Sequence, residues 1–139
     1  DESGGIGWKA PEAMGEMIRS RPHLFNEFIP ILIAVLDMEP EDVPSFRAGT
    51  LWALDRLAQI VPERISPAAH LILPCLHDPD AQVRGLALLC LSLIKHPVSP
   101  QDLEMLLQEN KPVLFYQDGQ MMELNIAQLC AQVTQNLAQ

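Results

Sequence analysis

Four side chains in this sequence have the types and spacing of a recognition patch rather than of a reaction centre: Trp8, Arg47, Trp52 and Arg56. Trp8 and Trp52 are the only tryptophans, and Arg56 stands four positions after Trp52, one helical turn further on. Tryptophan and arginine are enriched where protein interfaces concentrate their binding energy, so these four are candidate partner-binding residues. The plainer alternative is that both indoles pack inside the fold. Covalent or metal chemistry finds little support. His23, His70, His77 and His96 have no partners at ligand spacing, Cys75, Cys90 and Cys130 form no CxxC pair, and no G-x-S-x-G, Walker loop or H-E-x-x-H occurs. Ser3, Gly4, Gly5 and Gly7 could present amides to an anion, but lack a preceding strand and a suitably placed lysine; a flexible entry to a helix explains them. Asp1 and Glu2 suit a helix start, and Asp37 to Asp42 form an acidic turn expected to be solvated. No catalytic residue, metal ligand or cofactor site is therefore expected.

Composition narrows the field further. The 139 residues suffice for one domain with a real core, and 48% are hydrophobic but only 5% aromatic. Such an aliphatic core suits helices better than sheets. Nine basic against 18 acidic residues leave a net charge of −9. Phosphate backbones are bound by Lys and Arg that displace counterions, so nucleic acid is not an expected partner. Three cysteines inside apolar helical patterns read as buried, reduced thiols of a cytoplasmic protein, and no apolar run is long enough to span a membrane. The chain starts at Asp1 without methionine, which suggests a truncated N-terminus.

The elements that must position these residues repeat. In L-H-D-P-D-A-Q-V-R-G-L-A-L-L-C-L-S-L-I, Asp78 is expected to cap a helix with Pro79 at its first position. Val83, Ala87, Cys90, Leu91 and Ile94 then share one helical face, and Arg84 can reach back to the Asp78 turn. The same frame lies 37 positions upstream, where Phe46 and Arg47 match Val83 and Arg84, and Ala53 and Leu54 match Cys90 and Leu91. A weaker copy starts at Ile6, 40 positions before Phe46. The helices starting at Phe46 and Val83 are each preceded by another carrying an internal proline, Pro30 and Pro74, at corresponding places; Ser66 is expected to cap the second of these, with Pro67 following. Two helices per 37 to 40 residues is the spacing of HEAT and armadillo arrays.

The L-x-D-P-D-x-x-V-R pattern resembles the HEAT repeat, particularly the phycobilin-lyase HEAT-like type, over about residues 6–110. The opening D-E-S-G-G-I-G-W with P-E-A-M-G-E-M is similar to a group of small HEAT-like proteins from anaerobic bacteria, sulfate reducers among them. Gly7, standing where the repeat's arginine belongs, and the longer turn M-E-P-E-D-V-P depart from the pattern. The resemblance implies an all-α fold, an α-α superhelix of stacked helix pairs.

After a helix near residues 101–110, V-L-F-Y-Q and Q-M-M-E-L flank Asp118-Gly119, the signature of a tight β-hairpin. Asn125 then caps a last amphipathic helix carrying Ile126, Leu129, Cys130, Val133 and Leu137. Residues 86–94 are apolar almost all round, so their helix needs cover on every side, and the hairpin and last helix are expected to supply it. The whole chain, 1–139, is thus expected to be a single helical-repeat domain, with repeats over 6–110 and a hairpin-plus-helix cap over 111–139. Its expected role is a non-catalytic scaffold that docks a protein partner on its curved surface, with possible self-association through the open N-terminal end. Two alternatives follow from the resemblance: a small-molecule or chromophore-handling protein, which calls for a pocket near Trp8 or Tyr116, and a helical-repeat DNA glycosylase, which the acidic charge disfavours.

Overall fold

The prolines and the aliphatic rows set the element order. The computed structural model describes Met17, Ser20, Arg21, His23 and residues 25–38 and 44–137. Expectations for Trp8, for Asp1, Glu2 and the glycine-rich entry, and for the copy starting at Ile6 lie outside these residues, as does most of the acidic turn after Met38. Helix α1 spans Phe25–Asp37 and runs through Pro30. Its apolar row Ile29, Leu32 and Leu36 is buried, while Pro30 faces solvent. Helix α2 spans Pro44–Ala58 and packs on α1.

The first element of the next unit departs from expectation. It starts one turn early, as α3 over Pro62–Ile65, tightens to a 3₁₀ turn at Ser66–Ala68, recovers as α4 over Ala69–Ile72, and tightens again at Leu73–His77. Ser66 does not cap a helix start; its hydroxyl donates back to the Pro62 carbonyl at 3.2 Å. Pro67 and Pro74 supply no N–H for the i−4 carbonyl, and at each the ladder shortens to i−3 bonding. The effect of proline is therefore not shared between the two units: Pro30 leaves α1 continuous, whereas Pro67 and Pro74 interrupt its counterpart.

Helix α5 covers Ala81–Leu93 and buries Val83 through Leu91, including Arg84 and Gly85. It ends where Lys95 takes a left-handed conformation (φ 57°) and the His96 N–H returns to the Leu91 carbonyl at 2.9 Å, a closure that satisfies carbonyls left open at a helix end. Helix α6, Pro100–Leu106, is capped by Ser99. Strands β1 (Pro112–Gln117) and β2 (Gln120–Asn125) pair antiparallel, with Gln117 opposite Gln120. Asp118 (φ 52°) and Gly119 (φ 80°) both lie in the left-handed region that a two-residue type I′ turn requires. Helix α7 spans Ile126–Leu137, and its entry is a reciprocal capping box: the Gln128 N–H donates to Asn125 Oδ1 at 2.7 Å while the Asn125 N–H donates to Gln128 Oε1 at 2.9 Å.

The core lies where these elements converge on α5. Helix α2 packs along one side of it, the Leu73–His77 turn along another, and α7 and β1 cover the rest. Val113 and Phe115 of β1 and Ile126, Leu129, Cys130 and Val133 of α7 are buried there. An all-apolar helix is stable only when each of its faces loses water, and each buried leucine contributes roughly 1.5–3 kcal/mol. The fold is mostly helical with one small antiparallel sheet.

Candidate functional site

The two repeat arginines clasp the turn inside the second unit, between its first element and α5. Arg47 Nε of α2 donates to Asp78 Oδ2 at 2.7 Å. Arg84 of α5 approaches the same turn from the other side, its Nη1 donating to the Asp78 carbonyl at 2.7 Å and the Pro79 carbonyl at 2.9 Å. The fork of Arg84 is completed by Glu109, which accepts from its Nε at 2.7 Å and its Nη2 at 2.5 Å. Asp78 is not the N-cap of α5. That place belongs to Asp80, whose carboxylate accepts the Val83 N–H at 3.1 Å. Asp78 instead accepts the Asp80 N–H at 2.9 Å and presents its other oxygen to Arg47. Two aspartates two residues apart allow this division: one terminates the helix, the other joins the repeats.

The hairpin lies across α2 and α5. On α5, Gly85 leaves room for Val113, since a Cβ there would stand 2.6 Å from Val113 Cγ1. Gln82 uses its side-chain amide as a strand would, accepting the Leu114 N–H at 3.0 Å and donating to the Leu114 carbonyl at 2.5 Å. On α2, Gln59 donates to the Tyr116 carbonyl at 2.9 Å, and the Arg56 guanidinium lies 3.6 Å from the Tyr116 ring centroid. A cation over an aromatic face is attracted by the ring's quadrupole, more strongly when desolvated.

The candidate residues therefore divide. Arg47 is mostly buried in its ion pair, and Arg56 is only 4% exposed beneath Tyr116. Trp52 is half-buried against the core, one turn before Arg56, and its counterpart Leu89 is buried. Trp8 is not among the described residues. Sequence reasoning did not single out Gln59, Gln82 or Tyr116 as a group. The one available signal was that Tyr116 is the only tyrosine, placed in a strand.

One buried group stands outside both arrangements. Asp55 of α2 is buried, and its two carboxyl oxygens meet no hydrogen-bond donor of good geometry. Burial pushes its pKa well above the usual carboxylate range, and the Cys90 thiol of α5 beside it only partly offsets this. Burial likewise raises the Cys90 thiol, with the neighbouring Asp55 adding to it, and pushes Cys75 up to about 11, an effect the Asp78 carboxylate reinforces and Arg47 opposes. Buried, with their pKa values raised away from the charged forms, these groups are not presented to an external substrate as nucleophile or base. Among the described residues no three His, Cys, Asp or Glu side chains converge as metal ligands would. His70 and His77 are exposed, and His77 meets Asp102 at 3.1 Å.

Two recesses open nearby. One, of about 360 Å³, is lined by Gln59, Ile60, Leu89, Leu93 and the hairpin turn Gln117–Gly119. The other, of about 650 Å³, separates α1 from α3 and α4 and is lined mainly by Ile29, Ile33, Ala34 and Leu71, with Asp37, Glu63, Arg64 and His70 at its margins.

The arginine clasp, the 37-residue frame and the packing of α2 on α5 are the marks of a tandem helical repeat. Residues 44–94 match the HEAT-like repeat family model. The match runs from the start of α2 to the end of α5, a little over a third of the chain. No curated protein and no solved structure shows significant similarity to the chain. Within the HEAT-like repeat, Arg47 and Arg84 hold equivalent places, and each ties its own helix to an acidic residue that follows it in the chain, Asp78 and Glu109 respectively. Among the described residues no helix is long and apolar enough to cross a membrane.

Proposed function

We propose that this chain is a non-catalytic helical-repeat scaffold. Its helix pairs form a short α-α superhelix closed by the hairpin and α7, and a protein partner docks on the face shared by α2, α5 and the hairpin. The observation that carries this is a continuous row on that face. Trp52 and Arg56 lie one turn apart on α2, Arg56 stacks on Tyr116, and Leu114 (46% exposed) and Met121 (55% exposed) share the outer face of the hairpin with Tyr116. Solvent-accessible aromatic and aliphatic side chains gathered in one patch match the apolar centre of a protein interface. Trp52 and the hairpin side chains would make the contacts, while Arg47 and Arg56 hold the face in shape. Three free, buried cysteines support a reducing, cytoplasmic setting.

The test is co-purification from native cells with the wild-type chain, Trp52→Ala and Leu114→Glu as baits. A protein recovered by wild type and lost from both folded variants is expected; equal recovery by all three baits overturns the assignment of this face. Self-association through the N-terminal end would show in the same preparations as a doubled mass.

A second reading, a small-molecule or chromophore-handling protein, is favoured by the recess beside the hairpin turn. Its volume lies in the range of ligand pockets, and it combines apolar Ile60, Leu89 and Leu93 with the amides of Gln59 and Gln117. Mass spectrometry of the purified chain distinguishes this reading by a co-purifying coloured or apolar compound. The glycosylase alternative has the least support, because Arg47, Arg56 and Arg84, which a basic groove would need, are turned inward.

A further inference from the structure

The two edges of the hairpin are treated differently. In an antiparallel pair closed by a two-residue turn, residues alternate between those bonding across the ladder and those whose N–H and C=O point away from it. On β1 the outward residues are Leu114 and Tyr116, and both are met by glutamines, Gln82 from α5 and Gln59 from α2. On β2 the residues opposite them are Glu123 and Met121. Their outward backbone groups meet no partner among the described residues, and both side chains are exposed. An open strand edge is a template for another strand, and natural folds usually cover or blunt it. Here three of the four outward groups of one edge are taken by two side chains from two helices, while the other edge is bare.

We propose that the β2 edge is a strand-addition site: an extended segment of a partner protein pairs with Met121 and Glu123 and extends the hairpin to three strands. This rests on the docking reading above and names the partner's chemistry. Four backbone groups, the N–H and C=O of each residue, set the pairing, and the side chains set the preference. The neighbouring strand presents an apolar residue opposite Met121 and a lysine or arginine opposite Glu123, two positions along on the same face. Charge complementarity selects the basic segment. The chain carries −9 overall, three of its nine basic side chains (Arg47, Arg56 and Arg84) are turned into the fold, and Asp118 adds a carboxylate at the turn end of the edge. Lys111 lies at the opposite end, beyond Asn125. The same charge disfavours a second copy of this chain, which would bring two acidic hairpins together.

The experiment uses the full chain and a nine-residue peptide, Thr-Lys-Thr-Val-Thr-Lys-Thr-Val-Thr, in which lysine and valine take turns along one face, followed by amide hydrogen exchange and NMR titration. The peptide is expected to bind at millimolar concentration or below, slowing exchange at the Met121 and Glu123 amides and no others of the hairpin. Its counterpart methylated on alternate backbone nitrogens is expected not to bind, and the same peptide with glutamate in place of lysine to bind at least tenfold more weakly. Met121→Pro removes one outward N–H without touching the internal ladder and is expected to weaken binding about tenfold; Glu123→Lys is expected to reverse the charge preference. The inference is overturned if the methylated peptide binds equally, if no peptide protects Met121 and Glu123 at millimolar concentration, or if these amides are already protected in a dimer of the chain itself. Loss of the edge result while Trp52→Ala still abolishes partner recovery would remove the strand-addition site alone. Loss of the Trp52 effect with edge binding intact would remove the broader face alone.

Discussion

Arg47 and Asp78, thirty-one positions apart, meet at 2.7 Å and tie the second helix of one repeat to the turn that opens the second helix of the next. The pair is mostly buried, with the side chains 17% and 9% exposed, so solvent screens it far less than a surface ion pair. Asp78→Ala removes the arginine's partner and also the acceptor of the Asp80 N–H. We expect it to cost about 2–3 kcal/mol, read as a lower urea midpoint at unchanged slope. Asp78→Asn, which keeps an acceptor for Asp80, should cost less. Equal losses for the two would show that the acceptor for the Asp80 N–H contributes nothing beyond the charge.

Gly85→Ala should destabilise the chain although alanine is the better helix former by roughly 1 kcal/mol. The new methyl meets Val113, and the strain of overpacking, about 1–3 kcal/mol, sets the sign. Adding Val113→Ala to the same chain should recover part of the loss, giving a favourable coupling in a double-mutant cycle. Additive effects would mean that the hairpin does not rest on α5 at that point.

Asp55 predicts the pH dependence of stability. Its folded pKa is raised by burial, while in the unfolded chain it titrates near the ordinary value of about 4. Above that value the unfolded chain releases a proton that the folded chain still holds, so this group's contribution to stability falls as pH rises until the folded pKa is reached. Asp55→Asn should be more stable than wild type at pH 7 and should lose the decline that begins above about pH 4. Parallel stability–pH curves for the two chains would refute this.

Cys75, with its thiol pushed up to about 11, should hold only about one thiolate per thousand at pH 8. Cys75, Cys90 and Cys130 are all buried. Native protein should react with a disulfide reagent only as fast as it opens, and all three thiols should react at once in denaturant. A rapid native burst of one equivalent would place one thiol at the surface.

Much of this architecture was legible in the chain because local periodicity carries it. The Val83–Ile94 row predicts a buried helix face, Arg84 predicts a contact with the Asp78 turn, Asp118-Gly119 predicts the hairpin, and Asn125 predicts the last cap; each depends on residues a few positions apart. The structure departed from the sequence where neighbours competed. Asp78 and Asp80 are equally good caps locally, and only the arrival of Arg47 from the preceding repeat assigns Asp78 to the ion pair. Pro62 and Pro67 each suit a helix start, and packing decides that the chain turns at the first and tightens at the second. The candidate surface shows the same division: residue type singled out Trp52, Arg47 and Arg56, but whether an arginine faces solvent depends on what lies over it. That β1 crosses α2 and α5, burying Arg56 under Tyr116 and leaving the β2 edge bare, is a long-range contact with no periodic trace in the sequence, so only the tertiary structure could decide it.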